Sequence, residues 1–134
     1  MSASVVFHDT NVLLYVISAD AAKAARSEAL LGDGGQISVQ VLNEFASVAS
    51  RKKRMAWAEI GEFLAKVRTA CRVEPLTPET HDRALALAQR HHLHIYDATI
   101  AAAALMAGCR TLYSEDFQHG QVFEGKLEVV NPFL

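Results

Sequence analysis

The sequence predicts an α/β sandwich, a parallel sheet with helices on both faces. Short β-branched and aromatic runs alternate with amphipathic helical patterns, which implies right-handed crossovers between parallel strands. The first run, VVF, is apolar throughout, as a strand buried on both faces must be. With 134 residues, 51% of them hydrophobic, the chain has the size and composition of one domain with a single core.

The elements follow in order. Val5, Val6 and Phe7 form a strand that stops at a polar cluster, and residues 13–18 are ambiguous in period. Asp20 caps a helix through AAKAARSEALL that Gly32 closes. GGQIS then supplies a tight turn and a brief strand around Ile37. From residue 39 the period changes: Val41, Leu42, Phe45, Val48 and Ala49 share one helical face, and this helix runs into the basic stretch RKKR. A helix over residues 56–70 carries Ile60, Phe63, Leu64 and Val67 on one side, and a short strand follows at residues 72–74. Thr77 before Pro78 marks the next helix start, because proline costs nothing at the first helical position. LALAQRHH ends that helix. A helix over residues 96–108, a strand in RTLYS and a last strand in LEVVNP complete the chain, with residues 115–125 the least structured. No repeat, low-complexity segment or linker interrupts it, so one domain is expected over residues 1–134.

Charge and cysteines narrow the function classes. The 15 acidic and 13 basic residues leave no global electrostatic footprint of a nucleic-acid binder, so any such contact must come from a local patch. Cys71 and Cys109 stand alone, outside any disulfide framework or zinc spacing. The apolar run at residues 98–109 falls short of the roughly 20 residues that cross a bilayer and reads as a buried helix. Asp9 breaks the apolar start and no basic leader precedes it, which argues against a signal peptide. A cytoplasmic protein with no membrane contact is expected.

Ligands of open parallel sheets bind beyond the C-terminal strand ends. Asp9 follows the VVF strand directly, with Thr10 and Asn11 beside it, and Asp116 lies two residues after Ser114 at the end of the TLY strand. Glu44 falls on the flank of its helix's apolar stripe. Asp97 opens a helix too apolar to face water. Each has an ordinary explanation alone: an Asx-turn at Asp9, an N-cap at Asp97, a turn residue at Asp116, a pairing of Glu44 with Arg51 or with a neighbouring helix. Together at one edge they would repel one another and raise their pKa values, a conflict that a divalent cation resolves. Oxygen-only ligands suit Mg²⁺ or Mn²⁺. The natural chemistry is phosphodiester hydrolysis.

The chain resembles the PIN-domain nucleases, and among them the VapC-type toxins of bacterial toxin–antitoxin pairs. FHDTNVLLY, SVQVLNEF, HIYDATIAAAAL and TLYSEDFQHG carry the resemblance, in family order across nearly the whole length. It implies a three-layer α/β/α fold and an acidic quartet of Asp9, Glu44, Asp97 and Asp116 that holds one or two Mg²⁺ or Mn²⁺ ions for RNA cleavage. Thr10, Asn11, Ser38 and Ser114 then match the supporting polar positions. Ser114 stands where threonine is commoner, which keeps the hydroxyl. The resemblance also implies a homodimer and inhibition by a VapB-type antitoxin.

Other features keep two readings. Arg51, Lys52, Lys53 and Arg54 either complement the helix dipole or contact RNA phosphates beside the acidic site. His91, His92 and His94 lack zinc spacing and read as surface and loop residues, and His8 as strand packing. Trp57, Tyr15 and Phe45 read as core or as dimer and antitoxin interface. A non-catalytic RNA- or protein-binding domain competes with the metal-dependent endoribonuclease, and completeness of the acidic quartet favours the enzyme. An Asp-based phosphotransfer domain would want a second acidic residue beside the nucleophile, which D-T-N does not offer.

Overall fold

The computed structural model describes residues 5–134; residues 1–4, which the single-domain and leader expectations include, lie outside the described residues. The strands are β1 (Val6–His8), β2 (Gln36–Ser38), β3 (Arg72–Glu74), β4 (Thr111–Tyr113), β5 (Val122–Phe123) and β6 (Leu127–Val130). The helices are α1 (Thr10–Val16), α2 (Ala21–Gly32), α3 (Val39–Arg51), α4 (Trp57–Ala70), α5 (Pro78–His91) and α6 (Ile95–Met106). One sheet runs in the order β3-β2-β1-β4-β6-β5, parallel except for β5. Helices cover both faces, the α/β/α sandwich expected.

The register sets the core. Phe7 lies opposite Gln36 and Leu112, and Leu112 opposite Val129. Phe7, Ile37, Leu112 and Val129 are fully buried, and each such side chain contributes roughly 1.5–3 kcal/mol over leaving it exposed. Ala98, Ala101, Ala102 and Ala104 are likewise sealed on α6. Residues 98–104 of that helix are all buried and all but Thr99 are apolar, as a segment enclosed by the core must be.

Helix ends follow local chemistry. Asp20 caps α2, Thr77 caps α5, and Pro78 takes the first helical position. Gly32 is the last residue of α2 rather than its left-handed stop; the positive-φ turn falls on Gly34 and Gly35.

Several expectations change. The ambiguity at residues 13–18 resolves as helix: α1 begins at Thr10, and Asp9 is its N-cap rather than an Asx-turn. Residues 115–125 contain β5, a two-residue antiparallel edge strand too short to show a period. Asp97 does not cap α6. The helix starts earlier, at Ile95, because His94 accepts from the Tyr96 N–H and takes the cap. His91 ends α5 with its ring edge-on to Phe123 rather than standing on an open surface. Trp57 opens α4 at 70% exposure and is not core, whereas Phe45 is fully buried and stacked on Phe63. Among the described residues no helix is long and apolar enough to cross a membrane.

Candidate active site

From β1 the chain builds outward in two directions, to β2 and β3 on one side and to β4 and β6 on the other. The crevice beyond the C-terminal ends of β1 and β4 is therefore the topological switch point, where open α/β sheets bind ligands. Asp9 stands there. Its N–H extends the ladder to the Tyr113 carbonyl at 3.0 Å. Its side chain turns back, Oδ1 accepting from the Thr10 N–H at 2.7 Å and Oδ2 from the Ser114 hydroxyl at 2.6 Å.

That carboxyl group is 2% exposed. Burial pushes its pKa up from 3.8 to about 7; the bonds from Ser114 and Thr10 oppose the rise, and the carboxylates of Asp116 and Asp97 add to it.

Asn11 ties the crevice together. Its Nδ2 lies 3.2 Å from Asp9 Oδ2, 3.3 Å from Ser114 Oγ and 3.2 Å from Asp116 Oδ2. Three acceptors share two N–H protons. Its Oδ1 accepts from the Glu115 N–H, and Ser114 Oγ accepts from the Asp116 N–H at 3.0 Å. Residues 114–116 are thus sewn to the start of α1. Glu115 is drawn away from the cluster by the Tyr15 hydroxyl, which donates to it, and by Lys23 Nζ at 3.3 Å. Asp116, not Glu115, is left beside Asp9.

Glu44 reaches the cluster from the middle of α3, half-buried. Its Oε1 accepts from the Thr10 hydroxyl at 3.2 Å and its Oε2 from the Gln40 amide at 2.7 Å. Thr10 therefore joins Asp9 to Glu44, and the ion pair of Glu44 with Arg51 does not form; Arg51 bonds Ser47 instead. Asp97, in the first turn of α6, has its pKa raised by burial and by the carboxylates of Glu44 and Asp116, against a lowering from His94. The quartet is one electrostatic unit. Ser38 reaches the same sheet edge by register, but its hydroxyl caps α3 by accepting from the Val41 N–H.

A hard divalent cation fits the donor chemistry, since the convergent groups are all oxygen and the innermost is a buried, mutually repelled carboxylate. The four do not form a closed cage: among the described residues no group of three or more His, Cys, Asp or Glu side chains stands in ligating arrangement. Mg²⁺ does not require one, because it keeps several waters and takes one or two carboxylates. His8 is no ligand here; it is fully buried, with Nε2 on the Gly34 carbonyl at 2.8 Å.

Beside the cluster lies an open groove of about 400 Å³ lined by Gln40, Asn43, Glu44, Ser47, Val48, Arg51 and Tyr96. Arg51 is the member of the basic stretch that lines it; Lys52 is the C-cap of α3. Sequence reasoning missed Gln40 and Tyr96. Gln40 stands four residues before Glu44, the spacing of helix-face neighbours, which was a usable signal.

The PIN domain family model matches residues 6–122. No curated protein matches the sequence. Similar solved structures include Mycobacterium tuberculosis VapC20, a sarcin–ricin loop cleaving toxin, at 22% identity over 84% of this chain and 89% of that one, TM-score 0.67. A Klebsiella pneumoniae toxin–antitoxin complex matches at 20% identity over 95% and 97%, TM-score 0.70. Rickettsia felis VapBC2, bound to a fragment of promoter DNA, matches at 19% identity over 94% and 98%, TM-score 0.64. At these identities the likeness is one of fold.

Proposed function

The chain belongs to the PIN-domain family, and on that premise we propose that it is a divalent-metal-dependent endoribonuclease, the toxin of a VapBC-type toxin–antitoxin pair. The observation that carries the reading is the fully buried Asp9 carboxyl, pushed to about 7 and facing Asp97 and Asp116 at the switch point. Burying such a group weakens the fold unless a ligand uses it.

Of Asp9, Glu44, Asp97 and Asp116, one or two carboxylates would hold Mg²⁺ or Mn²⁺ directly and the others through its waters. When bound, the ion polarises the phosphate, acidifies water and offsets negative charge. The chain's own residues do the rest. Thr10 and Ser114 hold the Asp9 oxygens in one orientation, as outer partners of metal ligands do. Asn11 sets the spacing of Asp9 to Asp116. Thr10 and Gln40 fix the Glu44 carboxylate, keeping it from turning into solvent. The solved complexes of similar fold with antitoxins support a cognate VapB-type antitoxin, and the same reading includes a homodimer acting on RNA in the cytoplasm.

The test is digestion of total RNA by wild type and by Asp97→Asn, with Mg²⁺ and with excess EDTA. Cleavage by wild type that needs Mg²⁺ and disappears in the folded variant is expected. Cleavage that persists in EDTA, or in the variant, would overturn the reading.

A further inference from the structure

Resting on the nuclease reading above, we propose that the groove along α3 is a subsite for one nucleotide of single-stranded RNA beside the scissile phosphate, its base stacked on Tyr96 and its phosphate held by Arg51. The groove is continuous with the acidic cluster, because Glu44 belongs to both and Tyr96 directly precedes Asp97. Gln40, Glu44, Ser47 and Arg51 recur at helical spacing along α3, while Val41, Phe45 and Ala49 turn into the core. The open flank of α3 is thus a polar stripe that begins at the cluster and ends on a cation.

The two end residues are arranged for their roles. Tyr96 is 56% exposed, yet its ring is steadied by His94, with centroids 4.9 Å apart at 61° and the Tyr96 N–H bonded to His94 Nδ1. An aromatic plane held open to solvent is a base-stacking platform. Both Nε and one terminal N–H group of Arg51 donate to Ser47 Oγ, at 3.2 and 3.1 Å. That neutral partner orients the guanidinium without neutralising it, and its remaining donors suit phosphate oxygens. Seven residues of helix separate Glu44 from Arg51, about 10 Å at 1.5 Å per residue. The phosphate at Arg51 is therefore a neighbour of the scissile one.

RNA fits this lining better than a protein segment does. A docked peptide anchors through apolar side chains, and here Val48 and Tyr96 stand among five polar residues, Gln40, Asn43, Glu44, Ser47 and Arg51. A nucleotide presents a π-face, a hydrogen-bonding edge and a phosphate, matching Tyr96, Asn43 and Arg51.

Anisotropy of a labelled, mixed-sequence single-stranded oligoribonucleotide tests the subsite on the full chain, across a salt series, alongside the KM for its cleavage. Tyr96→Ala should weaken binding roughly 5- to 100-fold and raise KM in step, while Tyr96→Phe keeps the stacking and the affinity. Arg51→Gln should weaken binding and lower the slope of log K against log salt by about 0.7. Both side chains are exposed, and unchanged melting temperatures would show that the variants are folded. Wild-type affinity in Tyr96→Ala, or a wild-type salt slope in Arg51→Gln, overturns the subsite while leaving cleavage, and so the nuclease reading, intact. Binding that responds as described in a protein that never cleaves RNA with Mg²⁺ supports the subsite and removes the nuclease reading. Variants that bind RNA normally but escape inhibition by a VapB-type antitoxin that inhibits the wild type overturn the proposal in favour of a protein-docking groove.

Discussion

Replacing Asp9 by its isosteric amide should make the metal-free protein more stable above neutral pH while abolishing its activity. The acid titrates near 7 in the fold against an ordinary 3.8. The folded value is the higher, so the folded state holds the proton more tightly. Its contribution to stability is complete below about pH 4 and is lost as pH rises through 7. At 1.36 kcal/mol per pH unit between the two values, that loss is roughly 4 kcal/mol. Asp9→Asn has no charge to bury and escapes it. The amide gives up about 1–2 kcal/mol where it can no longer accept from both Ser114 and Asn11. The variant should therefore gain about 2–3 kcal/mol near pH 8, a melting temperature higher by roughly 10 °C, and be level with or slightly below wild type near pH 4. Thermal unfolding followed by circular dichroism in EDTA, from about pH 4 to 8.5, measures it. Added Mg²⁺ should raise the melting temperature of wild type and not of the variant, since an ion that binds only the folded state stabilises it. A melting difference between variant and wild type that stays constant across this pH range would refute the reasoning, because Asp9 would then ionise as an ordinary carboxylate.

Three further outcomes follow from the contacts around the site. Asn11→Ala removes the amide shared by Asp9, Ser114 and Asp116; RNA cleavage should fall about 10- to 100-fold, read as kcat/KM at saturating Mg²⁺, with a stability loss of roughly 1–3 kcal/mol. Gly35→Ala should destabilise the fold by several degrees of melting temperature: at φ +120° a Cβ would stand 2.8 Å from His8 Nε2 and 3.1 Å from the Val6 carbonyl, pressing on the strand that delivers Asp9. Ser38→Ala should cost about 1 kcal/mol through the lost cap of α3, seen as a drop of roughly 4 °C, and a wild-type melting curve would show that the cap bond is not formed.

Read alone, the sequence determined the parts and the set of candidate carboxylates. The apolar run VVF and the short segments centred on Ile37, Leu112 and Val129 marked the parallel strands, and VVF, covered on both faces, carries no polar alternation. Asp20 and Thr77-Pro78 marked helix starts because capping is local. Three carboxylates at strand or helix ends and Glu44 on a helix flank were visible as a set, although Asp9, Glu44, Asp97 and Asp116 are scattered over the chain.

Tertiary structure alone decided how those parts meet. Residues 13–18 were ambiguous because α1 is short and packs on α2 and α3; its start is set at Asp9, whose other oxygen is held by a serine 105 residues away. Strand β5 exists only through its pairing with β6, and two residues cannot display a period. Trp57 is a large apolar side chain, but it stands at the first position of α4 and is exposed there. Glu115 and Asp116 are adjacent and chemically alike, and only Tyr15 and Lys23, brought in by α1 and α2, draw one of them away. Helix caps and hydrophobic periods are written within a few residues, whereas burial and hydrogen-bond partners are supplied by segments a hundred residues apart. The identity of the acidic residues was therefore legible in the sequence, and the orientation of their oxygens and the groove beside them were not.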